Sequence, residues 1–420
     1  MDRREFVSAL TVVAGGAAAG LVPSADLIAE AAPPTPTGST VPATNIQIRT
    51  SYPPLPPLGA DVFRRRLERA QRLTRDAGAT VLVATSGATN FAYLVGADFG
   101  RSERMIALLL PVDGEPVIVA PAFETERVRR GSKVGSVRGW EEYESPYALA
   151  ADALGAARAG AVLLLEPKTE YWTAMKLTAA LPGARLVDGS GVFEALRLVK
   201  SAEEIARMRR AIEITEDAVA ATHDQLRAGM ADTDIEEILK KEHVTRGVRG
   251  DGLVQLGPQS ALPHGGTVNA ILRDGMVVLI DAGCAFQGYV SDITRTRWFG
   301  SEPPPKFRLV YDTVYDAQSA AMEKVKPGVP AQEIDRAARA VISKAGFGAY
   351  FTHRLGHGMG MDGHEPTWMV EGNSKPLEAG FVFSVEPGIY IPNEFGVRLE
   401  DDFMCTEDGG ALLSRRAPRI

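Results

Sequence analysis

Two aspartates in the second half of the chain, Asp281 and Asp292, could hold a cation between the strands of a hairpin. Asp281 ends an apolar, strand-like segment, and Gln287-Gly288 is suited to a tight turn before the chain returns. With a two-residue turn, Asp281 faces Thr294 across the hairpin. Because side chains alternate between the faces of a strand, Asp281 and Asp292 then point to the same side as diagonal neighbours, roughly 7 Å apart at the backbone.

Two glutamates, Glu386 and Glu400, form a similar pair farther along the chain. The segments 381–386 and 397–405 have the composition of strands. A turn centred on Asn393 places Glu386 directly opposite Glu400. Each of the two hairpins is therefore predicted to carry a facing pair of acids.

Four carboxylates in the interior of a sheet repel one another and lose their hydration. They are stable together only if positive charge lies among them. Oxygen ligands with a single imidazole suit manganese, cobalt, zinc or iron better than calcium, and two ions about 3.5–4 Å apart could share bridging carboxylates. The alternative is that some of these acids are surface residues on unrelated strands.

Four of the six histidines fall in two glycine-rich loops. Glycine beside an imidazole allows the backbone to pass close to a ligand, so these loops are candidates for further metal and substrate contacts. The other two, His223 and His243, lie on predicted helices, and we interpret them as structural. The loop histidines are His264, His353, His357 and His364.

Each acidic hairpin is preceded by a pair of predicted helices, which indicates an internal repeat. Gly229 and Ile235 have the same spacing as Gly328 and Ile334, at an offset of 99 residues. We interpret this as two diverged halves of one domain, related by an approximate two-fold axis. The four helices are predicted over about 202–228, 234–247, 307–326 and 331–345.

The N-terminus has the order of charged, apolar and small residues that is typical of a signal peptide. The pair Arg3-Arg4, with Phe6 two places on, resembles a twin-arginine export signal, and Ala29 and Ala31 have the spacing of a cleavage site. We therefore expect a periplasmic or extracellular protein. The alternative is a short interfacial helix on a cytoplasmic protein.

The rest of the chain divides by composition into three parts. A stretch rich in proline, threonine and serine is interpreted as a linker, and alternating strands and helices after it predict an α/β domain. A capping box, Ser201 with Glu204, marks the next boundary. The predicted parts are the signal peptide 1–31, the linker 32–60, the N-terminal domain 61–195 and the catalytic domain 196–415.

The overall composition of the 420 residues is that of an ordinary globular protein, with 45% hydrophobic residues. A net charge of −7 gives no reason to expect a nucleic-acid partner. No apolar run reaches the roughly 20 residues of a membrane span. Two cysteines, Cys284 and Cys405, cannot form a disulfide framework, and we favour two isolated thiols over one bridge.

Residues 61–410 resemble the M24 metallopeptidases, which include aminopeptidase P, prolidase and the related creatinase. The resemblance implies an α/β creatinase-like N-terminal domain and an α+β pita-bread catalytic domain with an internal pseudo-two-fold repeat. It also implies hydrolysis of Xaa-Pro bonds in peptides, and a homodimer. The matching motifs begin at Leu198-Val199-Lys200-Ser201, Asp281-Ala282-Gly283, Ser291-Asp292-Ile293-Thr294, His353-Arg354, Val385-Glu386-Pro387-Gly388 and Gly396-Val397-Arg398-Leu399-Glu400.

The resemblance implies a role for each matching residue. Two divalent ions, for which we expect manganese with cobalt, zinc or iron as alternatives, would be bound by Asp281, Asp292, His357, Glu386 and Glu400. Asp292 and Glu400 would bridge the ions, and Glu386 would also shuttle a proton. His264 and His364 would stabilise the reacting carbonyl, and His353, Arg354 and Tyr390 would contact the substrate. Arg398 either orients Asp281 or forms a plain structural ion pair.

Other functions on the same fold remain open at this point. A metal-free, creatinase-like amidinohydrolase or a non-catalytic pita-bread binding module would lack the metal ligands, and none is missing here. Methionine aminopeptidases usually lack the N-terminal domain. Hydrolysis of another amide or ester in the same metal site also stays open, as does the choice between a dipeptide and the N-terminus of a longer peptide. Arg354 either binds a substrate carboxylate or pairs on the surface.

Overall fold

The computed structural model describes residues 49–133, 135–266 and 269–420. The predicted signal peptide and the first part of the predicted linker lie outside these residues. None of the helices described is both long enough and apolar enough to cross a membrane.

The first part of the described chain forms a mixed six-stranded sheet with the strand order β4-β3-β2-β1-β5-β6. Strand β1 runs antiparallel to β2 and parallel to β5. The strands are β1 Val81–Thr85, β2 Ala107–Pro111, β3 Val117–Pro121, β4 Ser136–Trp140, β5 Val162–Leu165 and β6 Arg185–Asp188. The helices are α1 Ala60–Asp76, α2 Thr89–Val95, α3 Thr125–Gly131, α4 Pro146–Ala153, α5 Tyr171–Ala180 and α6 Ser190–Leu198.

Both faces of this sheet are covered, because its central strands are apolar on both sides. Leu82 and Ala84 of β1 belong to one buried cluster, and Val81 and Val83 belong to another. A strand buried on both faces is a continuous apolar run, which is the pattern that the sequence shows here. The predicted α/β architecture of this part is confirmed.

The second part consists of two helix pairs, each followed by antiparallel strands. Its helices are α7 Ala202–Asp224, α8 Asp232–Thr245, α9 Pro305–Lys324 and α10 Ala331–Lys344. The strands after the first pair are β7 Gly250–Leu256, β8 Met276–Phe286, β9 Tyr289–Val290 and β10 Ile293–Phe299. The strands after the second pair are β11 Gly356–Gly358, β12 Glu365–Met369, β13 Val382–Val385, β14 Gly388–Ile391, β15 Phe395–Arg398, β16 Asp401–Thr406 and β17 Gly409–Leu412.

The predicted repeat has a clear structural counterpart in the turns between the paired helices. Gly229 and Gly328 both have left-handed backbone, with φ of 93° and 83°, which glycine adopts without steric cost. The N–H of Gly229 donates to the carbonyl of Leu272, and that of Gly328 donates to the carbonyl of Leu377, both at 2.8 Å. The same turn therefore closes each helix pair onto the strand region that follows it.

Helix α7 begins as predicted and ends earlier than predicted. The Ser201 hydroxyl accepts the N–H of Glu204 at 3.3 Å, and the Glu204 carboxylate accepts the N–H of Ser201 at 2.9 Å, so the capping box is confirmed. The helix ends at Asp224 rather than near residue 228. The chain turns early because Leu226 is buried in the core beneath β7 and β8.

The end of the predicted linker, residues 49–58, packs along α7 instead of standing free. The Tyr52 hydroxyl donates to Asp217 at 2.7 Å. Arg210 and Arg207 donate to the carbonyls of Pro53 and Pro56. A proline-rich segment leaves its carbonyls without partners of its own, and the arginines of the helix satisfy them. We call this segment the N-terminal strap.

Among the described residues, neither His223 and His243 nor the two cysteines belong to the groups of candidate ligand atoms. His243 is fully buried and bonds the carbonyl of Leu239 at 3.0 Å and the Thr215 hydroxyl at 3.3 Å. Among the described residues Cys284 and Cys405 are both buried and both free. The prediction of two isolated thiols is confirmed.

Candidate metal centre and active site

The first hairpin places Asp281 and Asp292 as the sequence predicts. Gln287 and Gly288 form the turn with φ of 49° and 84°, and Asp281 lies opposite Thr294 in the register of β8 and β10. The carboxylate oxygens of Asp281, Asp292 and Glu400 lie within 4.8 Å of one another. The two hairpins therefore meet at their acidic residues.

The second hairpin places Glu386 opposite Glu400, although the strands are interrupted at these residues. The pair is bracketed by Val385 opposite Asp401 on one side and by Gly388 opposite Arg398 on the other, both in the predicted register. The N–H of Glu400 donates to the Thr294 carbonyl at 3.2 Å, which ties the second hairpin to the first.

His357 reaches the acids from β11, a short strand squeezed between β12 and β13. A Cβ atom on Gly356 would lie 1.9 Å from the Ser384 carbonyl oxygen, and one on Gly358 would lie 2.3 Å from that of Pro366. Only glycine permits this approach. The sequence pattern of glycine on both sides of the histidine is thus explained by the packing of the strand.

The ring of His357 presents one nitrogen to the carboxylates. Its Nδ1 bonds the Gly358 carbonyl at 3.1 Å, so Nε2 is the nitrogen with a free lone pair. That Nε2 lies 3.6 Å from Asp292 Oδ2 and 3.5 Å from Glu386 Oε1. Burial and the neighbouring His364 lower the pKa of His357 to about 3, which keeps the ring neutral and able to bind a metal.

Asp292, Glu386 and Glu400 resist ionisation without a cation. Burial, followed by the charge of Asp281, raises the pKa of Glu400 to about 8. Burial and Glu400 also raise the pKa of Asp292 and of Glu386 well above the ordinary range. Such shifts measure how unfavourable the ionised cluster is. The donor set of four carboxylates and one neutral imidazole fits divalent cations.

Among the described residues, two of the three groups of candidate ligand atoms share Glu400. One group contains Asp281, Asp292 and Glu400, and the other contains His357, Glu386 and Glu400. A third group contains Asp292, His357 and His364, whose ligand atoms lie within 4.8 Å of one another. His364 is therefore close enough to share an ion with these two residues. The division of the predicted ligands between two ions remains a prediction.

Arg398 lies beside the centre, where it contacts Asp281 directly and is linked to Glu400 through the Thr294 hydroxyl. Its Nη2 donates to Asp281 Oδ2 at 2.6 Å, and its Nε donates to the Thr294 hydroxyl at 3.1 Å. The Thr294 hydroxyl in turn donates to Glu400 Oε2 at 2.6 Å. The arginine is buried and pairs with Asp281; that it orients this candidate ligand for a metal remains a prediction, beside the alternative of a plain structural ion pair.

Tyr390 and His353 form a pair on the far side of Arg398. The Tyr390 hydroxyl accepts from Arg398 Nη1 at 3.1 Å and bonds His353 Nε2 at 2.8 Å. The other ring nitrogen of His353 bonds the Arg354 carbonyl at 2.7 Å. Both side chains are therefore held by polar contacts beside the acids, and their contact with substrate remains a prediction.

Three predicted residues border the open side of the centre. His364 packs edge to face on His357 with ring centroids 4.0 Å apart. His264 is exposed. Burial is the largest cause that lowers the pKa of His364, followed by the neighbouring Arg354 and His264. The Arg354 guanidinium lies 4.5 Å above the centre of the Trp368 ring.

Two buried residues next to the ligands, Ser384 and Asp402, were missed in the sequence. Asp402 Oδ2 accepts the N–H of Asp292 at 3.2 Å. The Ser384 hydroxyl accepts the N–H of His357 at 3.2 Å and lies 3.4 Å from Glu386 Oε1. Strand alternation could have found both, because each stands two residues from a candidate ligand and shares its face.

Comparisons with known proteins identify both parts of the chain. Residues 66–199 match the creatinase/prolidase N-terminal domain, and residues 206–407 match metallopeptidase family M24. An uncharacterized peptidase of Staphylococcus aureus is 34% identical over 332 residues, which are 77% of this chain and 92% of that protein.

Two solved structures share the fold. The dipeptidase PepE from Mycobacterium ulcerans has a TM-score of 0.80 at 35% identity, with 87% of this chain and 98% of that chain covered. A prolidase from Thermococcus sibiricus has a TM-score of 0.78 at 32% identity, with 85% and 98% covered. Relatives and structures agree with the family that the sequence motifs indicate.

Proposed function

The chain belongs to metallopeptidase family M24, and on this basis we propose that it is a two-metal peptidase that cleaves the bond before a proline in short peptides. The observation that carries the proposal is the convergence of four carboxylates on one neutral imidazole. Neither a metal-free amidinohydrolase nor a binding module needs such a set. The proposed ligands are Asp281, Asp292, His357, Glu386 and Glu400.

We propose that Asp281 binds one ion, that His357 and Glu386 bind the other, and that Asp292 and Glu400 bridge them. Manganese is the ion we expect. When bound, the ions would lower the pKa of a water molecule and polarise the scissile carbonyl.

The side chains around the ligands would position the peptide and move the proton. Glu386 would accept a proton from the attacking water and deliver it to the prolyl nitrogen as the C–N bond breaks. His264 and His364 would donate N–H hydrogen bonds to the carbonyl oxygen, on which negative charge develops. The lowered pKa of His364 supports a neutral donor in this role.

Proline selectivity has support in the rings beside the site. Phe351 contacts His353 edge to face at 5.3 Å, and His353 lies 5.4 Å from Tyr390. Phe351 and Tyr390 are buried, so the half-buried ring of His353 is the face that we propose for the apolar prolyl ring. A prolyl nitrogen also lacks the N–H that many peptidases bind, so a site that does without that contact would favour it.

The position of Arg354 supports a dipeptide as the substrate. This arginine stacks on Trp368, and among the described residues it has no ion-pair partner. The charge of Arg354 lowers the pKa values of His357, His364 and Glu386, so this arginine lies near the reacting centre. An unpaired guanidinium there is suited to the C-terminal carboxylate of a dipeptide.

A panel of small substrates tests the proposal. The manganese-loaded protein should hydrolyse Xaa-Pro dipeptides faster than Xaa-Pro-Yaa tripeptides and Xaa-Ala dipeptides, and it should leave creatine intact. Conversion of creatine, or no hydrolysis of any peptide, would contradict the proposed function.

Export and assembly are separate proposals. The paired Arg3-Arg4 supports twin-arginine export to the periplasm or the outside, and replacing both with lysine should leave the precursor inside the cell. Normal appearance of the mature protein outside the cell would contradict twin-arginine export.

The family resemblance supports a homodimer, which light scattering of the purified protein would test.

A further inference from the structure

The loop that carries His364 is bracketed by two acids, Asp362 and Glu365. It connects β11, which holds His357, with β12, which begins at Glu365. Neither acid belongs to the groups of candidate ligand atoms in the described residues. Their contacts therefore require another explanation.

Glu365 folds the loop onto itself. Its Oε1 accepts the N–H groups of Met361 and Asp362, both at 3.0 Å. The side chain is almost fully buried. Buried carboxylates of this kind are costly to leave without partners, so the backbone on the N-terminal side of His364 is held in one conformation.

Arg197, at the end of α6, binds both bracketing acids at once. Its Nη2 donates to Asp362 Oδ2 at 2.7 Å and also to Glu365. Its Nη1 donates to Asn90 on α2 at 3.0 Å. One guanidinium thus joins the His364 loop to the first part of the chain.

Thr89, the first residue of α2, adds a contact from the same side. Its hydroxyl donates to Asp362 Oδ1 at 2.6 Å. Lys200 adds an ion pair with Glu365 at 3.4 Å and is itself buried. The loop is therefore clamped by residues that lie outside the acidic hairpins.

Other ion pairs join the same two parts without touching this loop. Arg66 pairs with Glu204 at 3.2 Å, and Arg65 pairs with Glu203 at 3.5 Å. These contacts connect α1 to α7. The contacts of Thr89 and Arg197 differ from them because they fall on a residue within two positions of His364.

We propose that Thr89 and Arg197 are positioning residues, which act by fixing His364 relative to the carbonyl of the bound peptide. The inference rests on the proposed function, in which His364 contacts that carbonyl. A displacement of a catalytic group by about 1 Å can cost on the order of 100-fold in rate. The clamp would make the first part of the chain a contributor to catalysis.

The test uses Thr89→Val, which removes one hydroxyl at nearly constant volume, with Arg197→Lys as a second variant. Thr125→Val is the matched control, since Thr125 is also half-buried and its hydroxyl, among the described residues, donates within its own turn to the Ala122 carbonyl. Hydrolysis of an Xaa-Pro dipeptide, bound manganese, and amide exchange over residues 359–365 are measured for each protein, alone and combined with His364→Ala.

We expect Thr89→Val to lower kcat by on the order of 10-fold to 100-fold, with normal manganese content and faster exchange in the loop. In the His364→Ala background it should cause no further loss. An unchanged kcat, or an equal loss in both backgrounds, would overturn the positioning role. If the wild-type protein hydrolyses no peptide, the proposed function fails by itself, and unchanged loop exchange would still overturn the clamp.

Discussion

The rings of His357 and His364 meet edge to face with centroids 4.0 Å apart, yet only one of them is buried. His357 is 2% exposed and faces the acids, whereas His364 is exposed. This arrangement fits two roles for two adjacent imidazoles. We expect His357 to bind metal and His364 to contact the substrate.

Substitution by alanine should separate these roles. His357→Ala should lose bound metal and activity together, because it removes a ligand. His364→Ala should keep its metal and lose on the order of 10²–10³ in kcat with little change in KM, as typical for one oxyanion donor. Metal analysis and steady-state kinetics on both variants provide the measurement.

A bridging ligand gives the reference for metal loss. Asp292→Asn should lower metal occupancy more than His364→Ala does, because Asp292 would serve both ions. Since His364 also lies within ligand distance of Asp292, loss of metal from His364→Ala to the same extent as from His357→Ala would show that the ligand set must be redrawn.

Arg354 should discriminate substrates by their C-terminal charge. Arg354→Met keeps an unbranched apolar chain over Trp368 and removes the cation. A hydrogen bond to a charged group contributes about 1.5–3 kcal/mol, so kcat/KM for an Xaa-Pro dipeptide should fall roughly 10-fold to 100-fold. The corresponding Xaa-Pro amide serves as the control. An equal loss for dipeptide and amide would mean that Arg354 does not bind the carboxylate.

The stability of the metal-free protein should fall with rising pH above neutrality. Glu400, with a pKa raised from 4.5 to about 8, favours the folded state while it is protonated, and that contribution is lost as the pH rises through its folded pKa. Histidines with lowered pKa values, such as His357 at about 3, have the opposite effect: they make the stability rise with pH, but only up to their ordinary pKa of 6.5. The decisive window is therefore about pH 6.5 to 8.

Thermal unfolding across that window measures the effect. The Tm of the metal-free protein should decrease from pH 6.5 to pH 8, and saturating manganese should remove most of the decrease because it neutralises the carboxylates. A metal-free Tm that rises over this range would contradict the prediction that Glu400 is buried with a raised pKa.

The N-terminal strap should stabilise the fold through Tyr52. Tyr52→Phe removes the hydroxyl that donates to buried Asp217 and should lower the free energy of unfolding by about 1–3 kcal/mol. Tyr143→Phe is the control, since Tyr143 is 88% exposed. Equal Tm values for both variants would show that the strap contact contributes nothing.

Short-range patterns predicted the parts of the site that are set by strand geometry. The registers that place Asp281 opposite Thr294 and Val385 opposite Asp401 follow from turn length and alternation. Asp402 stands two residues beyond Glu400 in the same alternation, but it was not predicted because it is not a candidate ligand itself.

Contacts between distant segments were beyond such patterns. The Tyr52 hydroxyl bonds Asp217 across 165 residues of sequence, and that of Thr89 bonds Asp362 across 273 residues. No local periodicity encodes either pair. The strap was therefore predicted as a linker, and the clamp on the His364 loop was not predicted at all.

Titration of metal into stripped protein tests the central claim most directly. Chelator-treated protein receives increasing manganese, and bound ions per chain and hydrolysis of an Xaa-Pro dipeptide are measured on the same samples. We expect an inactive stripped protein whose activity rises as up to two ions bind per chain. Full hydrolysis by rigorously metal-free protein would contradict it.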